Sequence, residues 1–435
     1  MGYGMRSSLL WMKLSPLLIG VVFLLTGCAP PGQPPQAAVA PTSVPATATA
    51  GLPTATLILP TATAVPPTAT APPATATPIP PTPLPRYDLV LVGVTIIDGT
   101  GAAPLPNMAL AINGDRIAAI APAGALVYSA DTPVRDLAGA SLLPGFINAH
   151  AHTHQLSDAE LRRWVQAGVT TVRDLSAPLD IVARRDALAA DFSVPRLLVS
   201  GPMVTVPGGH PIPIYGLNER VLTVGGVADA RLQIAALADA GVDVIKIAVS
   251  GRSDTSYPEL SDAEIAAISE TARSRGIAVT AHVDRAVALE RAVANGIGDA
   301  AHAPRDRIPD ALIAAMVQRG VGMVPTVDVY EALAEQRGNA AEWRLVILPV
   351  MYDNLRRFAA AGGTLALGDD FGGADGTQLG MPMAEIRHWL AAGIAPLEVI
   401  RAATQGSAKV AGIAATWERL RSGRSPICWW WTAIH

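Results

Sequence analysis

A chain of 435 residues, half of them apolar, can bury a large core and suits one αβ barrel with an appendage. Its 32 basic and 36 acidic residues are scattered, giving a net charge of -4 and no basic stripe, so nucleic acid is not an expected partner. Two cysteines, Cys28 and Cys428, are too few for a disulfide framework.

At the N-terminus Arg6 and Lys13 precede an apolar run from Leu14 to Leu25, and Leu25-Thr26-Gly27-Cys28 follows at its end. A short apolar run that stops at small residues before a cysteine reads as a bacterial lipoprotein signal peptide over residues 1–27, with an uncut membrane helix as the alternative. Cys28 is then the lipidated mature N-terminus, and the expected location is extracytoplasmic, anchored to the membrane. Residues 28–85 are Pro, Thr, Ala and short apolar side chains without a charge, which cannot form a core. They read as a disordered tether biased to polyproline II, reaching on the order of 150 Å at about 3.1 Å per residue.

Residues 86–142 read as a small β domain. Tyr87–Asp98, Met108–Asn113 and Arg116–Ile120 have strand character, and Asn113-Gly114-Asp115 is a tight turn between the last two. From 143 to 412 the pattern changes to short apolar runs alternating with Ala-rich helices. The runs are Gly145–Ala149, Val169–Arg173, Arg196–Ser200, Val242–Ala248, Ile277–His282, Asp299–His302, Val321–Thr326 and Thr364–Gly368. Intervening helices include Asp229–Ala240 and Ser261–Arg275, which open on Asp and Ser caps, and Arg285–Asn295. Eight such runs predict an α/β fold of the (β/α)8 TIM-barrel type. A doubly wound open sheet is the rival, disfavoured because no Gly-rich phosphate loop follows the first run.

The stretch Leu142-Leu-Pro-Gly-Phe-Ile-Asn-Ala-His150-Ala-His152 carries the chemistry. Strand alternation puts His150 and His152 on one side, where both rings can reach a cation at about 2.0 Å. Such a pair is weak alone, but barrel enzymes build their sites at the C-terminal ends of strands. Later runs end in Lys246, His282, His302 and Asp369-Asp370. Duller readings exist: Lys246 paired with Asp243 in a structural ion pair, and His282 and His302 as satisfied core histidines.

With these residues in view, the chain resembles the amidohydrolase superfamily from about Tyr87 to Gly412. Gly208-Gly-His210, Asp243-Val-Ile-Lys246, Ala281-His282 and Gly368-Asp-Asp370 are similar to its prolidase-like and imidazolonepropionase-related branch. The resemblance implies two divalent metals, zinc by default. It places His150 and His152 on the more buried ion, His282 and His302 on the second, a carboxylated Lys246 as bridge, and Asp370 as ligand and proton shuttle. It also implies His210 near the substrate carbonyl. Arg252 and Tyr257, in the loop after the Lys246 run, are candidates for a substrate carboxylate. His154 is read as a loop residue and His388 as structural. Burial of a lysine favours its neutral amine, the form that adds CO2.

Two departures from the family pattern stand out. Asn148 occupies a position where many relatives carry Asp, which alters support for the ligands. After Thr404 and Ala408 the expected Gly-Lys-x-Ala-Asp-Leu segment is missing, and residues 413–435 form an aberrant tail instead. Suitable codons read one base out of frame restore it, as Gly-Lys-x-Ala-Asp-Leu-Leu-Val-Val-Asp-Gly-Asn-Pro. The run Trp429–Trp431 constrains this strongly, because tryptophan has one codon. We read a frameshift near Ile413 or Ala414, which makes Cys428 an accident of the frame. The N-terminal domain is then β-sandwich-like with its C-terminal strands lost or frameshifted, and a tail taken as written is expected to leave an unpaired edge.

The expected function is a metal-dependent amidohydrolase that cleaves an amide C–N bond in a small molecule, a dipeptide or N-acyl amino acid. Alternatives are a cyclic amide, lactone or organophosphate hydrolase, and, in another class, a non-catalytic binding lipoprotein. Monomer and homo-oligomer are both compatible with the sequence.

Overall fold

A computed structural model describes residues 83–250 and 257–415, and the backbone of 428–431. The signal segment, Cys28, the tether and Arg252 lie outside the described residues. Among those described, no helix is long and apolar enough to cross a membrane.

The chain first forms a small sheet around β1 (Leu89–Ile96), which pairs antiparallel with β2 (Leu105–Asn113), itself paired with β3 (Arg116–Pro122). Gly114 supplies the left-handed turn (φ 54°) between β2 and β3, and Asp88 Oδ2 accepts its N–H at 2.7 Å. Two short strands, β4 (Val134–Asp136) and β5 (Ser141–Pro144), run parallel to β1. At three and four residues they are too short to show periodicity in sequence. Leu91, Val94, Ile96, Leu110, Ile117 and Leu142 form the core of this layer.

The barrel follows directly. Its strands are β6 (Phe146–Ala151), β7 (Val169–Asp174), β8 (Arg196–Val199), β9 (Met203–Thr205), β10 (Val221–Thr223), β11 (Val244–Ala248), β12 (Ala278–His282), β13 (Asp299–Ala300) and β14 (Gly322–Met323). They make two parallel sheets, β6-β7-β8 and β10-β9-β11-β12-β13-β14. Every residue of β7 and β11 is buried, as expected for strands covered by helices outside and by the lumen inside.

All eight expected runs contribute, the last as hydrogen-bonded extended chain. Met323 N donates to Thr364 O at 3.0 Å, Ala149 N to Leu367 O at 2.7 Å and Asp370 N to His150 O at 2.9 Å, closing the ring between its last and first strands. Gly368 is required there, since a Cβ would lie 2.8 Å from His150 N.

Helix boundaries follow capping chemistry. Ser261 and Glu264 form the predicted N-terminus of Asp262–Ser274 as a reciprocal capping box. The predicted Asp229 cap is corrected: the helix Val227–Asp239 starts two residues earlier, after Gly226 at φ 98°, and Asp229 accepts the N–H of Gly225 at 2.8 Å.

The expected unpaired edge is also corrected. Strand β15 (Cys428–Trp431) pairs antiparallel with β5, Trp430 opposite Leu142. Ladder bonds use backbone groups and aromatic residues favour extended chain, so the tail as written still supplies an edge strand.

Candidate metal centre

His150 near the end of β6 and His152 just past it, held by its N–H to Phe371 O at 2.8 Å, both lie at the C-terminal mouth of the barrel, and the closing strand brings Asp370 to them. Asp370 Oδ1 lies 3.1 Å from His150 Nε2 and 2.9 Å from His152 Nε2. Asp370 adopts φ 56°, a left-handed conformation that turns its carboxylate back over β6. His150, His302 and Asp370 are all buried, and their ligand atoms lie within 4.8 Å of one another. The ring of His302 is 4.9 Å from that of His150 and 4.5 Å from that of His282, which stacks on His210 at 4.1 Å.

Lys246, fully buried in β11, places Nζ 3.4 Å from His150 Nε2. The alternative pairing with Asp243 does not occur, because Asp243 is held by Arg185 at 2.7 Å. Burial pushes the Lys246 ammonium down to about 7 and His150 down to about 4, the latter helped by Lys246. Burial likewise holds His282 and His302 well below the usual imidazole range. Burial raises the Asp370 carboxyl, but His150 and His152 outweigh it and hold the group well below its ordinary value. Neutral imidazoles around an ionised carboxylate are the protonation states a divalent cation requires.

The residues fit a metal on their own geometry. His150 Nε2 and His152 Nε2 converge on Asp370 Oδ1, and nitrogen lone pairs of neutral imidazoles facing an ionised carboxylate are a donor set that a divalent cation would satisfy. His302 Nδ1 lies 2.7 Å from Thr326 Oγ1, which leaves Nε2 for the cluster. Thr326 sits at φ 50°, an outlier for a β-branched residue. That strain is accepted at the residue that orients a ligand.

Beneath the ligands, Arg173 and Asp299 form a fully buried ion pair, Nη2 to Oδ1 2.7 Å. Arg173 Nε also donates to Ala149 O, between Asn148 and His150, at 2.7 Å, and Thr280 Oγ1 donates to Asp299 Oδ1 at 2.6 Å.

A cavity of about 440 Å³ opens over the centre and is lined by His150, His152, His210, His282, His302 and Asp370. His210 reaches it because Gly209 packs tightly; a Cβ there would fall 2.4 Å from Thr205 Oγ1. Tyr257 is half-buried and not among the lining residues. His154 does not line the cavity, and His388 lies between Tyr352 (2.9 Å) and Glu331 (3.1 Å). Asp369 turns away from the ligands to Asn148.

Sequence reasoning missed Arg220, Asp284, Arg305 and Tyr330, which also line the cavity. Asp284 and Tyr330 had a readable signal, lying two residues beyond His282 and four beyond Thr326, immediately past two strand ends. Arg220 precedes a three-residue strand and had none.

The amidohydrolase family pattern matches residues 141–426, well over half of the chain. A stretch of 87 residues is 38% identical to an N-acyl-D-aspartate deacylase of Alcaligenes xylosoxydans xylosoxydans, covering 20% of this chain and 17% of the deacylase. The chain thus spans far less than two thirds of that relative. The fold is similar to that of a Xaa-Pro dipeptidase solved with methionine in its active site, with TM-score 0.67 and 22% identity over 78% of this chain and 92% of the other. It is also similar to a putative prolidase from Bifidobacterium longum, with TM-score 0.67 and 28% identity over 78% and 86%. The chain belongs to the amidohydrolase family and has the TIM-barrel fold of these neighbours.

Proposed function

We propose that this chain is a lipid-anchored, extracytoplasmic hydrolase with two divalent metals, zinc by default, that cleaves the amide C–N bond of a dipeptide or N-acyl amino acid. The observation that carries the binuclear reading is Lys246. Its buried Nζ sits 3.4 Å from His150 Nε2, and no carboxylate pairs with it among the described residues. A neutral amine there can add CO2 and release a proton, and the resulting anionic carbamate would supply oxygen donors to the metals. Similarity to a deacylase and to prolidases supports an amide beside an amino-acid carboxylate.

His150, His152, Lys246, His282, His302 and Asp370 would hold the ions. Bound divalent cations supply polarisation of the scissile carbonyl and acidification of water. Asp370, poised over His150 and His152, would take a proton from the attacking water and return it to the leaving nitrogen. His210, at the cavity wall, would donate to the substrate carbonyl oxygen.

The test is metal counting on the wild type and Lys246→Ala, with a metal-supplemented screen of dipeptides and N-acyl amino acids. Two ions per wild-type chain, fewer in the variant, and hydrolysis of some member support the reading. Unchanged metal content in the variant removes the bridging role, and a metal-loaded protein inert on the whole panel removes the substrate class. Cys28→Ala is expected to move the protein from the membrane to the soluble fraction.

A further inference from the structure

The walls of the cavity differ in charge on the two sides of the ligand cluster. Beside His282 and His302, Arg305 is neutralised by Asp284 (Nη2 to Oδ2 2.5 Å), whose Oδ1 also accepts the Tyr330 hydroxyl at 3.0 Å. Val329 and Leu333 add apolar surface to that wall, alongside Gln336 and Arg337. Beside His152 stands Arg220, half-buried, with Nε donating to the Ser176 carbonyl at 3.1 Å. Among the described residues no carboxylate pairs with it. Its Nη2 lies 3.5 Å from His152 Nδ1. At that separation the contact is at the outer limit of a hydrogen bond and does not satisfy the guanidinium. A guanidinium oriented by one backbone carbonyl, with unused N–H groups in a reaction cavity, is built to receive a planar anion.

We propose that Arg220 is the specificity residue that takes the α-carboxylate of the amino-acid half of the substrate, leaving the Tyr330, Val329 and Leu333 wall to the acyl half. The inference rests on the amide-hydrolase reading. An α-carboxylate is two bonds from the scissile nitrogen, and Arg220 is one contact from the ring of a ligand, so one amino acid spans both.

The experiment compares metal-loaded wild type, Arg220→Met and Arg220→Lys, all full-length and checked for unchanged melting. The probes are N-acetyl- and N-hexanoyl-L-leucine and L-methionine, with their carboxamides as uncharged controls. Binding is measured by calorimetry and hydrolysis by release of the amino acid or, from the controls, of the amino-acid amide. We expect wild type to favour carboxylate over carboxamide and Arg220→Met to lose that preference, with a fall in kcat/KM of about 10–100-fold, mostly in KM. Arg220→Lys should retain part of the preference, and the acyl-length preference should survive in both variants. A carboxylate preference equal in wild type and Arg220→Met, or no carboxylate preference in wild type, overturns the proposal. Arg220-dependent carboxylate binding without hydrolysis leaves it standing and overturns the amide-hydrolase reading instead.

Discussion

Asn148 Nδ2 donates to Asp369 Oδ1 at 2.8 Å across 221 positions of chain, while Asn148 Oδ1 accepts the N–H of His150 at 3.1 Å. One amide thus links the first and last barrel strands and fixes the backbone of a ligand. An aspartate at 148 would set carboxylate against carboxylate. Asn148→Asp should lower stability to urea by about 1–3 kcal/mol in chelator-treated protein. The double variant Asn148→Asp/Asp369→Asn, which exchanges donor and acceptor, should recover part of that loss; additive costs would show that the two do not interact.

Thr326 is expected to act on metal affinity more than on folding. Thr326→Val removes the hydroxyl 2.7 Å from His302 Nδ1 and should weaken metal binding about 10–100-fold in chelator competition. Thr326→Gly also removes it but relieves the φ of 50°. Weaker metal binding without a matching loss of stability would separate orientation from packing.

Glu385, a buried carboxyl outside the ligand cluster itself, gives the fold a pH dependence. It accepts from Trp389 Nε1 at 2.7 Å and from Asp328 N at 2.9 Å, yet burial prevails and pushes its carboxyl up from 4.5 to about 8. A folded pKa above the unfolded one means stabilisation that is complete below 4.5 and lost as pH rises through 8. Melting temperature should therefore fall from about pH 5 to about pH 9, and Glu385→Gln should flatten the slope. An equally steep slope in the variant would assign it to other groups.

Breaking the pair under the site should be costly. Arg173→Met strands Asp299 in the core and is expected to cost about 3–5 kcal/mol in chemical denaturation. Arg173→Met/Asp299→Leu should cost less than either single change. A single variant as stable as wild type would mean that water reaches the pair.

The barrel was legible because its runs are buried on both faces and end in residues whose type is chemical. Alternation made His150 and His152 readable, and strand ends made Lys246, His282, His302 and Asp370 readable. Arg220 was not, because its loop has no period and its meaning depends on Ser176 and His152 folding against it. The Asn148–Asp369 link was hidden for the same reason, although both residues had been noticed separately. In the tail, the written frame places Trp429–Trp431 on β5, and the alternative frame reads Leu-Leu-Val-Val over the same codons. Both are β-favouring, so a strand at this place is insensitive to the frame.

His150 and Asp370 are tied twice, by the ladder bond from Asp370 N to His150 O and by the approach of carboxylate to imidazole. The seam that shuts the ring is therefore also the seam that assembles the ligands. A chain with seven strands in place would hold every candidate ligand except Asp370, which arrives only as the ring closes. New termini cut into a loop at the opposite end of the barrel, such as Gly276, should leave this closure intact, whereas a cut between His150 and His152 should abolish it.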